Sequence, residues 1–486
     1  MNQPETTSWN HVRAVFQKIW GYEDFRPPQG EIIRTLLAAE DALIIMPTGG
    51  GKSICFQLPA LLQTGLTLVV SPLVALMENQ VQELRESKLP VALLHNELSP
   101  HHRRQTLQLV EQQRLRLLYL SPETLLSAPV WERLCQPHLK INGLILDEAH
   151  CLVQWGDTFR PAYRRLGAVR PALLKSKPTG TQIAIAAFTA TATPAQAQII
   201  QQVLQLQQPV VFRQSPYRQN LHLKVQIIWT PRGRREELLK LIRAKPGQAG
   251  LIYVRTRRDS ESLAQWLSQV GYATAGYHAG LSPEERRSIE ISWLSGAMPF
   301  VVCTSAFGMG INKPDVRWVV HFHAPLLLSE YVQEIGRAGR DSKQSVAVMF
   351  ISEPTGWLDP EDKQRQHFFE EKRNKQHSCA QQLAKKLTAR GKVSTVAQHP
   401  DGAIALALLH SAGCLDWEGP FDYVIHQGAR LHFPVQLPAT QQMTQYLTTN
   451  QCRWQFLLSS FGFSTALGCG HCDRCNKRSL GSVLPP

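Results

Sequence analysis

This 486-residue chain has no apolar run long enough to cross a bilayer. Its most apolar segment, LTLVVSPLVALM, is too short and too interrupted to span one. The first residues, MNQPETTSWNHVRAVF, have no basic start leading into an apolar stretch, so a secretory leader is not expected. Acidic residues are also scarce: 38 Asp and Glu stand against 52 Lys and Arg, leaving a net charge of +14. That balance favours a polyanion, either nucleic acid or an anionic membrane surface, over a merely solvated basic surface. No secreted cysteine framework is present, because six of the ten cysteines are scattered through apolar contexts and four gather near the C-terminus. Together these absences lead to the expectation of a cytoplasmic protein with no membrane partner. With 43% hydrophobic and 19% charged residues the chain is globular, and its length suits roughly three or four units of domain size.

Short apolar runs alternate with helical stretches from about residue 40 to 350: ALIIMP, TLVVSP, RLLYLSP, GLILDE, IAAFTAT, then GLIYVRT, FVVCTS and WVVHFH. Strands buried on both faces read as continuous apolar runs, so the class is α/β, with two parallel-sheet units. The alternation pauses over 207–225, and the expected division is 1–206 and 207–352. A basic helical segment follows over 353–395, with nine Lys/Arg against two acids between Lys363 and Lys392. It suits a polyanion-binding surface or an ordinary exposed helix. Residues 396–436 suggest an apolar helix and two short strands around HQGA, either a winged-helix-like insertion that could dock a helix on DNA or a helix and hairpin packed for structural reasons. The remainder, 437–486, holds the cysteine cluster.

ALIIMPTGGGKSICFQL places a buried strand, a glycine loop and then a helix. Thr48, Gly49, Gly50 and Gly51 can turn backbone N–H groups onto phosphate oxygens, Lys52 can meet the β- and γ-phosphates, and Ser53 can hold Mg²⁺. Met46 stands where the strict phosphate-loop pattern has glycine, so the reading rests on strand, loop and helix together. GLILDEAH ends an apolar strand in Asp147 and Glu148, one carboxylate suited to Mg²⁺ and the next to an attacking water. His150 closes the same segment and joins the catalytic candidates. YVQEIGRAGRDS sets Gln333, Arg337 and Arg340 at helical spacings of four and three, cations suited to the charge that develops on a transferred phosphoryl group.

Cys452, sixteen intervening residues, then Cys469, Cys472 and Cys475 at two-residue gaps offer four thiolates. Tetrahedral Zn²⁺ suits that spacing, with a [4Fe–4S] cluster as the alternative. His471 lies between ligands and is not counted among them.

Taken together, FRPPQ, PTGGGKS, SPLVALMENQ, LSPE, DEAHCLVQWGDTFRP, FTATAT, YHAGL, TSAFGMGINKPDVR and QEIGRAGR resemble the motifs of superfamily 2 helicases, and specifically of RecQ DNA helicases, across residues 9 to 352. The resemblance implies two RecA-like domains, ATP and Mg²⁺ as cofactors, translocation 3′ to 5′ on single-stranded DNA, and separation of tailed or forked duplexes in repair or recombination. It implies that Gln29 reads the adenine edge with Tyr22 and Arg26 flanking the ring, and that Arg340 is an arginine finger. It also implies that Trp155, Phe159 and Arg160 sense single-stranded DNA. Bases stack on such aromatic and guanidinium faces at about 1–3 kcal/mol each, although Trp155 and Phe159 could instead pack in the core. The cysteine spacing resembles that family's zinc module.

About a hundred residues, 353 to 451, separate the helicase motifs from Cys452, more than the family pattern has. The family's usual winged-helix domain and C-terminal helical nucleic-acid-binding domain are not expected after Cys475. The alternatives are an ATP-driven DNA translocase that separates strands poorly and, less compatible with the Trp155–Arg160 segment, an RNA helicase.

Overall fold

The computed structural model describes residues 8–154, 160–308, 311, 313–426, 438–464 and 468–476. The chain divides into two compact units, one of Met1–Met46, Gly50–Gln214 and Lys375–Pro434, the other of Pro47–Gly49, Ser215–Asn374 and Val435–Pro486.

In the first unit, seven strands form one sheet: β1 (Ala42–Ile45), β2 (Leu66–Val70), β3 (Val91–Leu94), β4 (Leu117–Leu120), β5 (Ile141–Leu146), β6 (Ala184–Thr189) and β7 (Val210–Arg213). Their order is β3-β4-β2-β5-β6-β1-β7, parallel throughout. The central strands are buried along their length, which is why they read as unbroken apolar runs. Asp41 ties their starting edge together: both its oxygens accept from Arg170 Nη1, at 2.8 and 2.7 Å, and they also accept the backbone N–H groups of Ile185 and Gln207.

The expected end of this unit at residue 206 is corrected. Strand β7 pairs with β1, so the first sheet runs on to Arg213. As an edge strand of four residues with largely exposed side chains, flanked by Pro209 and Gln214, β7 gives a weak signal in sequence.

The second unit holds β8 (Leu221–Ile228), β9 (Gly250–Tyr253), β10 (Gly276–Tyr277), β11 (Phe300–Cys303), β12 (Trp318–His321) and β13 (Ser345–Ser352). They form a parallel sheet in the order β10-β11-β9-β12-β13-β8. Arg234, fully buried, joins β13 to the chain beyond it, donating to Ser352 Oγ, Asp359 and Asp362. The basic segment then becomes one helix, Glu361–Ala384.

The residues after that helix form a small module: β14 (Arg390–Lys392), helix Val393–Val396, helix Gly402–Ser411, β15 (Leu415–Trp417) and β16 (Asp422–Ile425). The antiparallel order β14-β16-β15 gives it a winged-helix-like topology. It begins before the expected residue 396. Strands β15 and β16 are joined by a turn at Glu418–Phe421, where Gly419 and Pro420 supply the turn residues; of HQGA, all but His426 lies outside the described residues. Residues 427–436 lie outside the described residues.

Its apolar helix is packed inside the chain, the arrangement of the structural alternative. Ile404, Ala405, Leu406, Ala407, Leu408 and Leu409 are buried, and the helix packs on the 3-10 helix Pro161–Ala168 of the first sheet's unit.

Candidate functional site

Thr48 to Gly51 form the turn between β1 and helix Lys52–Leu62. Gly49 and Gly51 both hold left-handed backbone, φ 83° and 78°. A side chain on Gly51 would be strained by that backbone, and its Cβ, 2.3 Å from Gln29 Nε2, would push the Gln29 side chain off the loop. Gln29 is buried and tied to the loop: its Nε2 donates to Gly50 O at 3.1 Å, and its Oε1 accepts from the Arg26 N–H at 2.9 Å. Tyr22 is half exposed, its ring 5.8 Å from that of Phe16.

Lys52 Nζ is buried and makes no hydrogen bond among the described residues; Glu148 Oε1 lies 3.8 Å away. A buried ammonium lacking acceptors fits a site for phosphate oxygens. Ser53 Oγ accepts from Gln80 Nε2 at 3.2 Å.

Asp147 and Glu148 follow directly from β5, the end of a parallel strand where open α/β sheets place their chemistry. Asp147 accepts the Glu148 N–H at 3.0 Å. Burial, followed by the neighbouring Glu148, pushes its pKa up to about 7, with Lys52 pulling the other way. Glu148 sits at φ 50°, a region that non-glycine residues seldom occupy. Its Oε2 is 3.2 Å from His150 Nδ1, which also lies 3.2 Å from Thr189 Oγ1 at the end of β6. Burial opposes charge on His150, but the Cys151 sulfur and the Glu148 carboxylate outweigh it and push His150 up to about 10. The structure thus brings Lys52, Ser53, Asp147, Glu148 and His150 together at the carboxyl ends of adjacent strands.

Arg160 bridges Glu123 Oε2 at 3.1 Å and Pro72 O at 2.8 Å. Trp155 and Phe159 lie outside the described residues.

In the second unit, helix Leu328–Ile335 carries Gln333 and ends before Arg337 and Arg340, so the three do not share one helix as their spacing suggested. Arg337 Nη1 donates to Gly308 O. Arg340 Nη1 donates to Ile311 O at 3.2 Å, and burial, then Arg337 and Arg218, brings its pKa down to about 10.

The four cysteine sulfurs lie within 4.8 Å of one another. Cys469 and Cys475 sulfurs are 3.9 Å apart, as are those of Cys472 and Cys452. A tetrahedron of Zn–S bonds of about 2.3 Å has edges of about 3.8 Å, so a single ion fits. An iron–sulfur cluster, with each thiolate on a different iron, would need them further apart. Cys452 caps helix Arg453–Ser460, and the Cys469 and Arg453 N–H groups donate to the Cys452 and Cys472 sulfurs. Trp454 Nε1 donates to Leu221 O and Asp473 accepts the Val225 N–H, so the module is seated on β8. His471 Nδ1 lies 2.7 Å from Cys469 O.

Gln80, Thr189 and Tyr163 had no assigned role in the sequence reading. The first two fall within SPLVALMENQ, which follows β2, and FTATAT, which ends β6, and that link to a strand's carboxyl end was the available signal.

Two parallel RecA-like sheets, the first bearing a glycine loop and an acidic pair at its strand ends, define the core of a superfamily 2 helicase. Residues 26–200 match the DEAD/DEAH box helicase model, 233–342 the helicase conserved C-terminal domain and 423–476 the RecQ zinc-binding domain. The chain is 52% identical over 470 residues to the ATP-dependent DNA helicase RecQ of Synechocystis, covering 96% of this chain and 98% of that protein. It is 39% identical over 358 residues to ATP-dependent DNA helicase Q5 of Mus musculus, covering 70% of this chain and 36% of that one. The chain belongs to the RecQ family. Among solved structures, S. cerevisiae Dbp5 bound to RNA and ADP BeF3 shares the fold at TM-score 0.58 and 17% identity, covering 71% of this chain and 88% of that one. Mycobacterium smegmatis helicase Lhr bound to ssDNA and AMP-PNP does so at TM-score 0.57 and 22% identity, covering 71% and 48%.

Proposed function

We propose that the protein is an ATP-dependent DNA helicase that moves 3′ to 5′ on single-stranded DNA and separates tailed or forked duplexes, acting in the cytoplasm in DNA repair or recombination. The carrying observation is the buried Lys52 ammonium, without a hydrogen bond among the described residues, beside the Asp147–Glu148 pair. Lys52 holds the β- and γ-phosphates of ATP, and the Thr48–Gly51 backbone encloses them. Ser53 and Asp147 hold Mg²⁺, which when bound offsets phosphate charge. Glu148 takes the proton of the attacking water, with His150 orienting its carboxylate across 3.2 Å. Arg340 supplies a cation to the transferred phosphoryl group, with Gln333 and Arg337 in support, while Gln29, Tyr22 and Arg26 hold the adenine. Trp155, Phe159 and Arg160 meet single-stranded DNA. The four cysteines hold Zn²⁺, for structure rather than chemistry.

A translocase that separates strands weakly is the second reading, favoured by Phe421 at the insert's hairpin turn being packed against Trp131 rather than offered as a wedge.

Hydrolysis of ATP with and without single-stranded DNA tests the reading. Lys52→Ala should lower the rate at least a hundredfold while retaining DNA binding. Trp155→Ala should keep the basal rate and lose the stimulation. A parent enzyme indifferent to DNA would contradict it.

A further inference from the structure

A winged helix ordinarily offers nucleic acid two surfaces, its second packed helix and the turn of its hairpin. Here both face the protein's own first unit. Helix Gly402–Ser411 contains no Lys or Arg, and its apolar residues are buried where it packs on the 3-10 helix Pro161–Ala168. At the hairpin turn, Phe421 joins the core beneath the first sheet, its ring 5.3 Å from that of Trp131 at 78°. The carbonyl of the preceding Pro420 accepts from Arg165 Nη1 at 3.0 Å. Arg165 belongs to the 3-10 helix, as does the buried Arg164, whose charge acts on His410 of the apolar helix.

The 3-10 helix under this module leads to the proposed chemistry. Tyr163, fully buried on it, donates its O–H to the carbonyl of Asp147 at 3.5 Å. Arg160, immediately before it, holds Glu123 and Pro72 O. The insert, the 3-10 helix and the acidic strand end therefore form one continuous stack of described residues.

We infer that the inserted module is a buttress, not a DNA reader: Phe421 and Arg165 fix the 3-10 helix, which links Arg160 to the backbone carbonyl of Asp147 through Tyr163, so that DNA occupancy is passed to ATP hydrolysis. This rests on the helicase reading above. The module's residues are positioning residues, since they act through the 3-10 helix rather than from the proposed nucleotide site. Its basic residues Arg390 and Lys392 remain exposed on β14.

The test compares Phe421→Ala with the parent as full-length, zinc-loaded chains. Protease sensitivity at residues 415–425 reports whether the hairpin has come away. ATP hydrolysis is measured with and without a single-stranded oligonucleotide, and DNA affinity is measured separately. The expected result is an opened hairpin, basal hydrolysis within twofold, unchanged ATP KM and DNA affinity, and DNA stimulation reduced at least fivefold. Phe421→Tyr should restore coupling, which a loss of general stability would not explain. If Phe421→Ala does not fold, Phe421→Leu and Arg165→Gln weaken the same contact more gently. An opened hairpin with full stimulation would overturn the inference. So would weakened DNA affinity with unchanged stimulation at saturating DNA, which would make the insert a DNA contact. A parent without DNA stimulation would instead defeat the helicase reading.

Discussion

His410 makes the docking of the insert sensitive to acid. Burial, followed by the Arg164 guanidinium, brings its pKa down to about 4, with Asp416 pulling weakly the other way. Its Nδ1 is buried with no hydrogen-bond partner among the described residues, and its ring lies 5.6 Å from that of Trp417. The folded chain therefore keeps His410 neutral down to about pH 4, whereas the unfolded chain takes up a proton near pH 6.5. Above pH 6.5 the two states bind protons alike and His410 adds no pH dependence. As pH falls from there towards 4, the unfolded state gains the proton and the module loses stability. At about 1.4 kcal/mol per pH unit, and allowing for the residue's partial exposure, the loss reaches about 2–3 kcal/mol. His410→Gln should remove that slope. Urea unfolding of parent and variant between pH 7 and pH 4.5, read locally by amide exchange in helix Gly402–Ser411, measures it. The two curves should diverge below pH 6.5; parallel curves, or an NMR titration of His410 near 6.5, would refute the reasoning.

Metal analysis should find one zinc per chain, and Cys472→Ser should lose it and loosen the contacts of Trp454 and Asp473 with β8; iron with labile sulfide would contradict the site. Trp454→Phe gives up the indole hydrogen bond to Leu221 O and some buried volume. It should cost about 1–3 kcal/mol by thermal unfolding, and a neutral result would mean the zinc module is not seated as described. Arg234→Ala leaves Asp359 buried without its partner. A loss of about 3–5 kcal/mol should follow, and a smaller one would show that Asp359 escapes burial or picks up a proton.

The buried central strands were legible because burial on both faces writes an unbroken apolar run, as in ALII and LTLVV. Others were not singled out: β7 is short and exposed, β10 has two residues, β8 mixes buried and exposed positions, and the apolar runs of the buried β3 and β13 were passed over. The phosphate loop, acidic pair and cysteine cluster could be read because each depends on neighbours in sequence. Tyr163 beneath Asp147, Gln80 against Ser53 and Thr189 against His150 could not, since only the sheet order brings those residues together. The insert left two readings open for a physical reason. An apolar helix followed by a hairpin has the same pattern whether it faces DNA or its own chain, and the absence of cations from GAIALALLHS was the available sign.

The central claim is an ATP-driven motor with a direction. The direct measurement is unwinding of one short duplex carrying either a 3′ or a 5′ single-stranded tail, with Mg²⁺ and ATP. Separation with the 3′ tail alone is the predicted result. Separation with the 5′ tail alone, or ATP hydrolysis that no DNA stimulates, would contradict the account.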